Sequence, residues 1–226
     1  MSKKSELIFG LILSLLFIFL IIITPIITHT VKGATYSPIV GAVTDNSAKI
    51  CIKTFRPCYI EYSNNEYFNE FKVSIPKDNF VYLNDLQPNT TYYYRIIKDT
   101  IIVDYGKFKT FPTEPDIVKI GILTDLKKIK ENESDSLPSV QSLSKDNIDF
   151  VIMLGDIDHA DAITQSQMRK MYLRTRGNIL GDFIFRKFPI AHVWDDHDFG
   201  YNNSDKYFYN KDLAIKMYNR FYPCYK

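Results

Sequence analysis

The sequence predicts a mixed chain in which an all-β sandwich precedes an α/β domain. Three observations lead there. Between residues 36 and 111, short apolar segments alternate with period two and are separated by polar turns, the pattern of antiparallel strands with one buried face. Phe111-Pro112-Thr113-Glu114-Pro115-Asp116 then interrupts strand and helix alike. Beyond it the pattern becomes strand, helix, strand, and three apolar segments run into carboxylates. Val118–Leu123 leads to Thr124-Asp125, Phe150–Leu154 to Gly155-Asp156, and Pro189–Trp194 to Asp195-Asp196-His197-Asp198.

The first 33 residues are set apart by composition. Leu7–Ile27 carries no charge and, at about 1.5 Å per residue, is long enough to cross roughly 30 Å of hydrocarbon. Lys3 and Lys4 would keep the N-terminus cytosolic. The expectation is a single-pass membrane protein with its C-terminal part outside the cytosol, or a secreted one if the leader is cleaved near Gly33-Ala34. Three Asn-x-Ser/Thr sequons, at Asn89, Asn132 and Asn202, then suggest a glycoprotein. The three cysteines leave one over in any disulfide scheme; Cys51 and Cys58 are a candidate pair.

Charge excludes one class of partner. The net charge of +2 is accounted for by Lys3, Lys4 and Lys32 against Glu6, so the remainder is neutral and shows no nucleic-acid footprint. A composition of 46% hydrophobic and 24% charged residues excludes a wholly disordered chain.

Residues 34–112 form the predicted sandwich. Ala48, Ile50 and Ile52 alternate with Lys49, Cys51 and Lys53. Cys58–Tyr62, Phe71–Ile75, Asn79–Leu83, Thr91–Lys98 and Tyr105–Phe111 continue the series. Leu86-Gln87-Pro88-Asn89-Thr90-Thr91-Tyr92 resembles the tyrosine corner of fibronectin type III domains. Residues 118–226 form the α/β part. Its apolar runs suit parallel strands covered on both faces, with helices over Pro138–Asp146, Thr164–Arg176 and Asp212–Phe221. In such sheets ligands bind beyond the carboxyl ends of the strands, where the acids stand.

A Gly-Asp after a strand is by itself a common turn or helix cap. With Trp194-Asp195-Asp196-His197-Asp198 it gains meaning, because clustered carboxylates resist joint ionisation unless a cation joins them. Together with Gly155-Asp156-Ile157-Asp158-His159-Ala160-Asp161, these residues resemble the calcineurin-like metallophosphoesterases. The Trp-Asp-Asp-His-Asp form, preceded by Arg186-Lys187-Phe188-Pro189, is similar to the alkaline phosphatase D (PhoD-like) branch, which also carries a fibronectin-like N-terminal module.

The resemblance implies an α/β/β/α metallophosphoesterase domain. It also implies a phosphomonoesterase or phosphodiesterase that acts on a phosphate ester through two metals and a bridging hydroxide. Iron with calcium is the implied pair, with Mn or Zn as options. On this resemblance Asp125 and His159 would bind the first metal, Asp156 would bridge, and Asp196 would bind the second. His197 would donate the proton and Asp198 would orient it, while Asp158 and Asp161 would cap a helix or stand behind the ligands. Lys127 occupies a position where the pattern has histidine, and no histidine follows His197; the expectation is therefore the N-terminal half of such a domain, apparently incomplete at the C-terminus. Two alternatives follow. One is a non-catalytic extracellular or membrane-anchored interaction protein with a phosphatase remnant. The other is a purple acid phosphatase-like enzyme, against which His159 stands where that group has a metal-binding tyrosine. His192 reads as a core histidine, and Arg174 and Arg176 as exposed helix arginines, with a bidentate phosphate clamp as the rarer alternative.

Overall fold

A computed structural model describes residues 36–53, 57–114, 117–126, 137–177 and 180–225. The apolar leader, Asn132 and Lys127 lie outside them.

Seven strands come first: β1 (Ile39–Gly41), β2 (Ala48–Cys51), β3 (Tyr59–Ser63), β4 (Lys72–Ser74), β5 (Phe80–Leu83), β6 (Thr91–Lys98) and β7 (Ile101–Lys109). They form the two layers of a fibronectin-like sandwich, β5-β2-β1 facing β4-β3-β6-β7. Val40, Ile50, Ile60, Val81, Tyr94 and Phe108 fill the space between. The tyrosine corner is present: the Tyr92 hydroxyl accepts a hydrogen bond from the Gln87 backbone N–H at 2.9 Å, and the ring stacks on Phe108.

The α/β part adds β8 (Ile120–Leu123), α1 (Pro138–Leu143), β9 (Phe150–Met153), α2 (Gln165–Arg176), a π-helical turn (Gly181–Phe185), β10 (Ile190–His192), α3 (Asp196–Phe199) and α4 (Lys211–Phe221). Thr164 and Gln167 close a capping box at the start of α2, satisfying N–H groups that the helix leaves free. β8, β9 and β10 run parallel and adjacent.

The two parts share a sheet, in the order β5-β2-β1-β10-β9-β8. β1 meets β10 in parallel at a single pair, Gly41 with Ile190. A Cβ on Gly41 would lie 2.6 Å from Ile190 O and 2.7 Å from Pro223, so only glycine allows this approach. Arg176, 1% exposed, reinforces the join by donating to the Ser37 and Cys51 carbonyls, each at 2.8 Å. Arg186 forks onto Asp104 at 2.8 and 3.1 Å. Arginine at a buried join suits its rigid multi-donor head. The two helix arginines are thus committed to protein partners, Arg174 pairing with Asp158 through two bonds of 2.7 Å.

Three expectations change. Along β8 burial alternates, with Ile120 and Ile122 45% and 60% exposed. Among the described residues the helices therefore cover one face of these strands, a period-two arrangement instead of burial on both faces. All three cysteines are free, and Cys51 lies against the Arg176 guanidinium instead of bridging to Cys58. The single-pass membrane placement is also corrected: among the described residues no helix is long and apolar enough to cross a membrane.

His192 is enclosed between Tyr218 and Tyr222, its ring stacked 3.8 Å from that of Tyr222. The Tyr218 hydroxyl donates to the His192 carbonyl at 2.6 Å and lies 3.0 Å from Nδ1.

Two outcomes follow. Gly41→Ala is expected to lower unfolding stability by about 1–3 kcal/mol through overpacking, measured by urea unfolding; an unchanged midpoint would refute the tight join. Burial holds the His192 imidazole down at about 3, from an ordinary 6.5. The neutral ring therefore belongs to the folded state, and its contribution is complete above pH 6.5 and lost as pH falls towards 3. His192→Phe should flatten the stability–pH curve between pH 6.5 and 4, whereas parallel curves for the two proteins would contradict it.

Candidate metal centre

The centre is built at the carboxyl ends of β8, β9 and β10. Each strand hands over to a short turn that aims an acid outward. Asp125 and Asp156 both have positive φ, 51° and 52°, a region that aspartate tolerates better than most residues. Cross-loop bonds hold them there: Leu126 N–H donates to Asp156 O at 3.2 Å, and Leu154 N–H to Leu123 O at 2.9 Å. Gly155, at φ +85°, precedes Asp156, and a Cβ on it would lie 2.5 Å from Asp195 N. Conformation and space both demand glycine there.

The acid-rich pentapeptide after β10 forms a one-turn helix. Asp195 is its N-cap, in a capping box with Asp198. The Asp198 carboxylate is buried, and its Oδ2 accepts from Asp156 N at 2.8 Å and Asp195 N at 3.2 Å. Burial pushes this acid up to about 6, against the opposing pull of those two N–H bonds.

Asp156 is the hub. Its Oδ1 accepts from His197 N at 3.2 Å. Burial, and then the Asp196 carboxylate, raise its pKa, as expected where carboxylates crowd. Ligand atoms of Asp156, His159 and His197 lie within 4.8 Å of one another, and so do those of Asp156, Asp195 and Asp196. Asp156 thus belongs to both groups. Asp125 reaches the first group through His159, with Oδ1 2.8 Å from Nε2, while Asp156 Oδ2 is 3.9 Å from the same nitrogen.

That nitrogen tests whether a cation fits. His159 Nε2 is shielded from solvent and makes no hydrogen bond, despite the carboxylate close by. A cation between imidazole and carboxylates would satisfy it, and oxygen with imidazole donors suits Mn, Fe, Zn or Ca.

The sequence expectations are met unevenly in position. Asp125, Asp156, His159, Asp196 and His197 come together at one rim. Asp198 does not orient His197; its carboxylate is spent on backbone N–H groups. Asp161 takes that place, its Oδ1 2.9 Å from His197 Nδ1 and also accepting from Asn202 N at 3.0 Å. The Asn203 N–H donates to Asp196. Sequence reasoning missed Asp195 as a member of the second group, although the Asp-x-x-Asp spacing of a capping box was there to be read. Nothing local announces the Asp161–His197 pair, which forms only when β9 and β10 lie side by side.

Asp198→Ala should cost about 1–3 kcal/mol by leaving two N–H groups without an acceptor, whereas Asp198→Asn, which keeps an acceptor oxygen, should cost less. Chemical denaturation of both variants tests this, and equal losses would count against the bridging role of the carboxylate.

No protein-family model matches the sequence, and no curated protein matches it. Among solved structures, PhoD aligns with a TM-score of 0.70 at 18% identity, over 84% of this chain and 47% of PhoD. A purple acid phosphatase from yellow lupin (Lupinus luteus) seeds aligns with a TM-score of 0.59 at 13% identity, over 84% of this chain and 40% of that one. The chain spans about half the length of these neighbours or less. With its fibronectin-like sandwich welded to a parallel sheet that ends in an acid-rich rim, the chain has the fold of the PhoD-type calcineurin-like metallophosphoesterases.

Proposed function

We propose that this chain is a metal-dependent phosphoric ester hydrolase acting on phosphomonoesters or phosphodiesters through two cations. The observation that carries this reading is the membership of Asp156 in two ligand groups with unlike donors. One group sets the His159 and His197 imidazoles beside the Asp156 carboxylate, and the other is all carboxylate. Iron or manganese suits the first and calcium the second. Bound there, such ions would neutralise phosphate charge and supply an activated water.

The residues of the chain have distinct tasks in this reading. Asp125 and His159 hold one cation and Asp195 and Asp196 the other, with Asp156 common to both. Asp198 keeps the β9 and β10 loops in register by binding their N–H groups. Asp161 holds the His197 imidazole at Nδ1, so its second nitrogen stays free for proton transfer at the leaving oxygen. The likeness to PhoD and to the lupin phosphatase supports the fold half of this argument; the donor chemistry supports the rest.

The experiment is release of nitrophenol from nitrophenyl phosphate and bis(nitrophenyl) phosphate by the purified chain, with Mn, Fe or Ca added. Turnover should need metal and be abolished by chelator. Asp156→Asn should lower kcat/KM at least about 100-fold, the loss of roughly 2.7 kcal/mol of transition-state stabilisation. A folded sample without metal-dependent turnover overturns the reading.

A further inference from the structure

Past α3 the chain makes one tight turn whose backbone reaches back to the acid rim. Ser204 N–H donates to Tyr201 O at 2.9 Å, so Asn202 and Asn203 are the two central residues of a β-turn. The closing bond leaves the amides of both central residues unspent. Each of them finds an acid: Asn202 N–H donates to Asp161 Oδ1 at 3.0 Å, and Asn203 N–H to Asp196 Oδ2. Asp161 is the partner of the His197 imidazole, and Asp196 belongs to the all-carboxylate group. Two neighbouring amides thus hold one acid from each working part of the site.

The turn depends on a left-handed residue. Asn203 has a φ of 63° at the third turn position, where glycine and asparagine are favoured and a β-branched side chain is strained. Its base is firm, because buried Phe208 packs on the Tyr201 ring and on the Phe199 ring of α3, with centroids 5.4 and 5.6 Å away. Gly200 leaves room for the turn to close, since a Cβ there would lie 2.5 Å from Ser204 Oγ.

Crowded carboxylates repel one another and move apart unless something holds them. Fixing one Asp196 oxygen from behind leaves the other for a cation, and a group ordered beforehand loses less freedom when the ion binds. We propose that Asn203 is a positioning residue for the second cation: through its left-handed backbone it holds Asp196 in the all-carboxylate group and so sets that group's affinity for a divalent ion. The proposal rests on the two-cation reading of the site. It gives the Asn203 side chain no role beyond tolerating the conformation.

The test counts Mn ions bound to the full chain by electron paramagnetic resonance, with no substrate present. The unaltered protein is expected to bind two. Asn203→Val should weaken the second ion at least about tenfold and the first less than about twofold, because a β-branched residue resists the left-handed turn. Asn203→Gly, which adopts that conformation freely, should keep both affinities, and Asn203→Ala should fall between the two. Asn89 has a φ of 50° in the sandwich, so Asn89→Val imposes a similar strain outside the metal centre and should leave both ions bound as before. Unchanged binding of the second ion in Asn203→Val and Asn203→Ala overturns the proposal. So does a loss in Asn203→Gly equal to that in Asn203→Val, or an equal loss in Asn89→Val. The expected pattern in a chain that hydrolyses no ester leaves Asn203 in its role and sinks the hydrolase. Fewer than two ions on the unaltered protein overturns both.

Discussion

The buried Asp198 carboxylate accepts the backbone N–H groups of Asp156 and Asp195, and on that contact the rest of the acid rim depends. β9 and β10 are neighbours in the sheet, but sheet pairing ends at Met153 and His192. Past that point the two segments would diverge, and their acids would repel one another. One carboxylate shared between two loop N–H groups prevents this. The arrangement is costly, since burial opposes the charge on Asp198, and the charge-assisted bonds offset only part of it. Aspartate at positive φ in Asp125 and Asp156 adds backbone strain of the kind that gathers at functional sites.

Much of this was legible in the sequence, for identifiable reasons. β6 spans Thr91–Lys98 as the sequence indicates, its burial alternating as far as Ile96, where a register shift leaves Ile96 and Ile97 both buried. The acids fall at strand ends because apolar runs stop where the sheet does. What was not legible depends on tertiary neighbours. Ile39–Gly41 is too short to declare itself a strand, and one of its two partners, β10, is remote in sequence. The alternating burial of β8 could not be seen in a continuous apolar run, since sequence records hydrophobicity and not the presence of a covering layer. Asp161 reads as a helix cap locally and becomes the partner of His197 only through the fold.

The sandwich also has a mechanical part in the design. Its β5-β2-β1 layer extends the sheet that carries the acids, and Arg176 and Arg186 clamp the join from both sides. Displacing one part would strain paired backbone and leave a buried guanidinium without acceptors, a state far costlier than breaking a surface contact. The acid rim is therefore seated on a rigid base, as precise placement of ligands requires.

The lone Gly41–Ile190 pairing has a kinetic consequence. It closes a very long chain loop for little immediate return, because loop-closure entropy must be overcome before remote contacts stabilise anything. The β1-β2, β3-β4 and β6-β7 hairpins can form early, whereas the β1–β10 seam waits for the α/β half to leave the ribosome and collapse. During that interval the β1 edge is open to wrong partners, so maturation of the chain is paced by the arrival of β10.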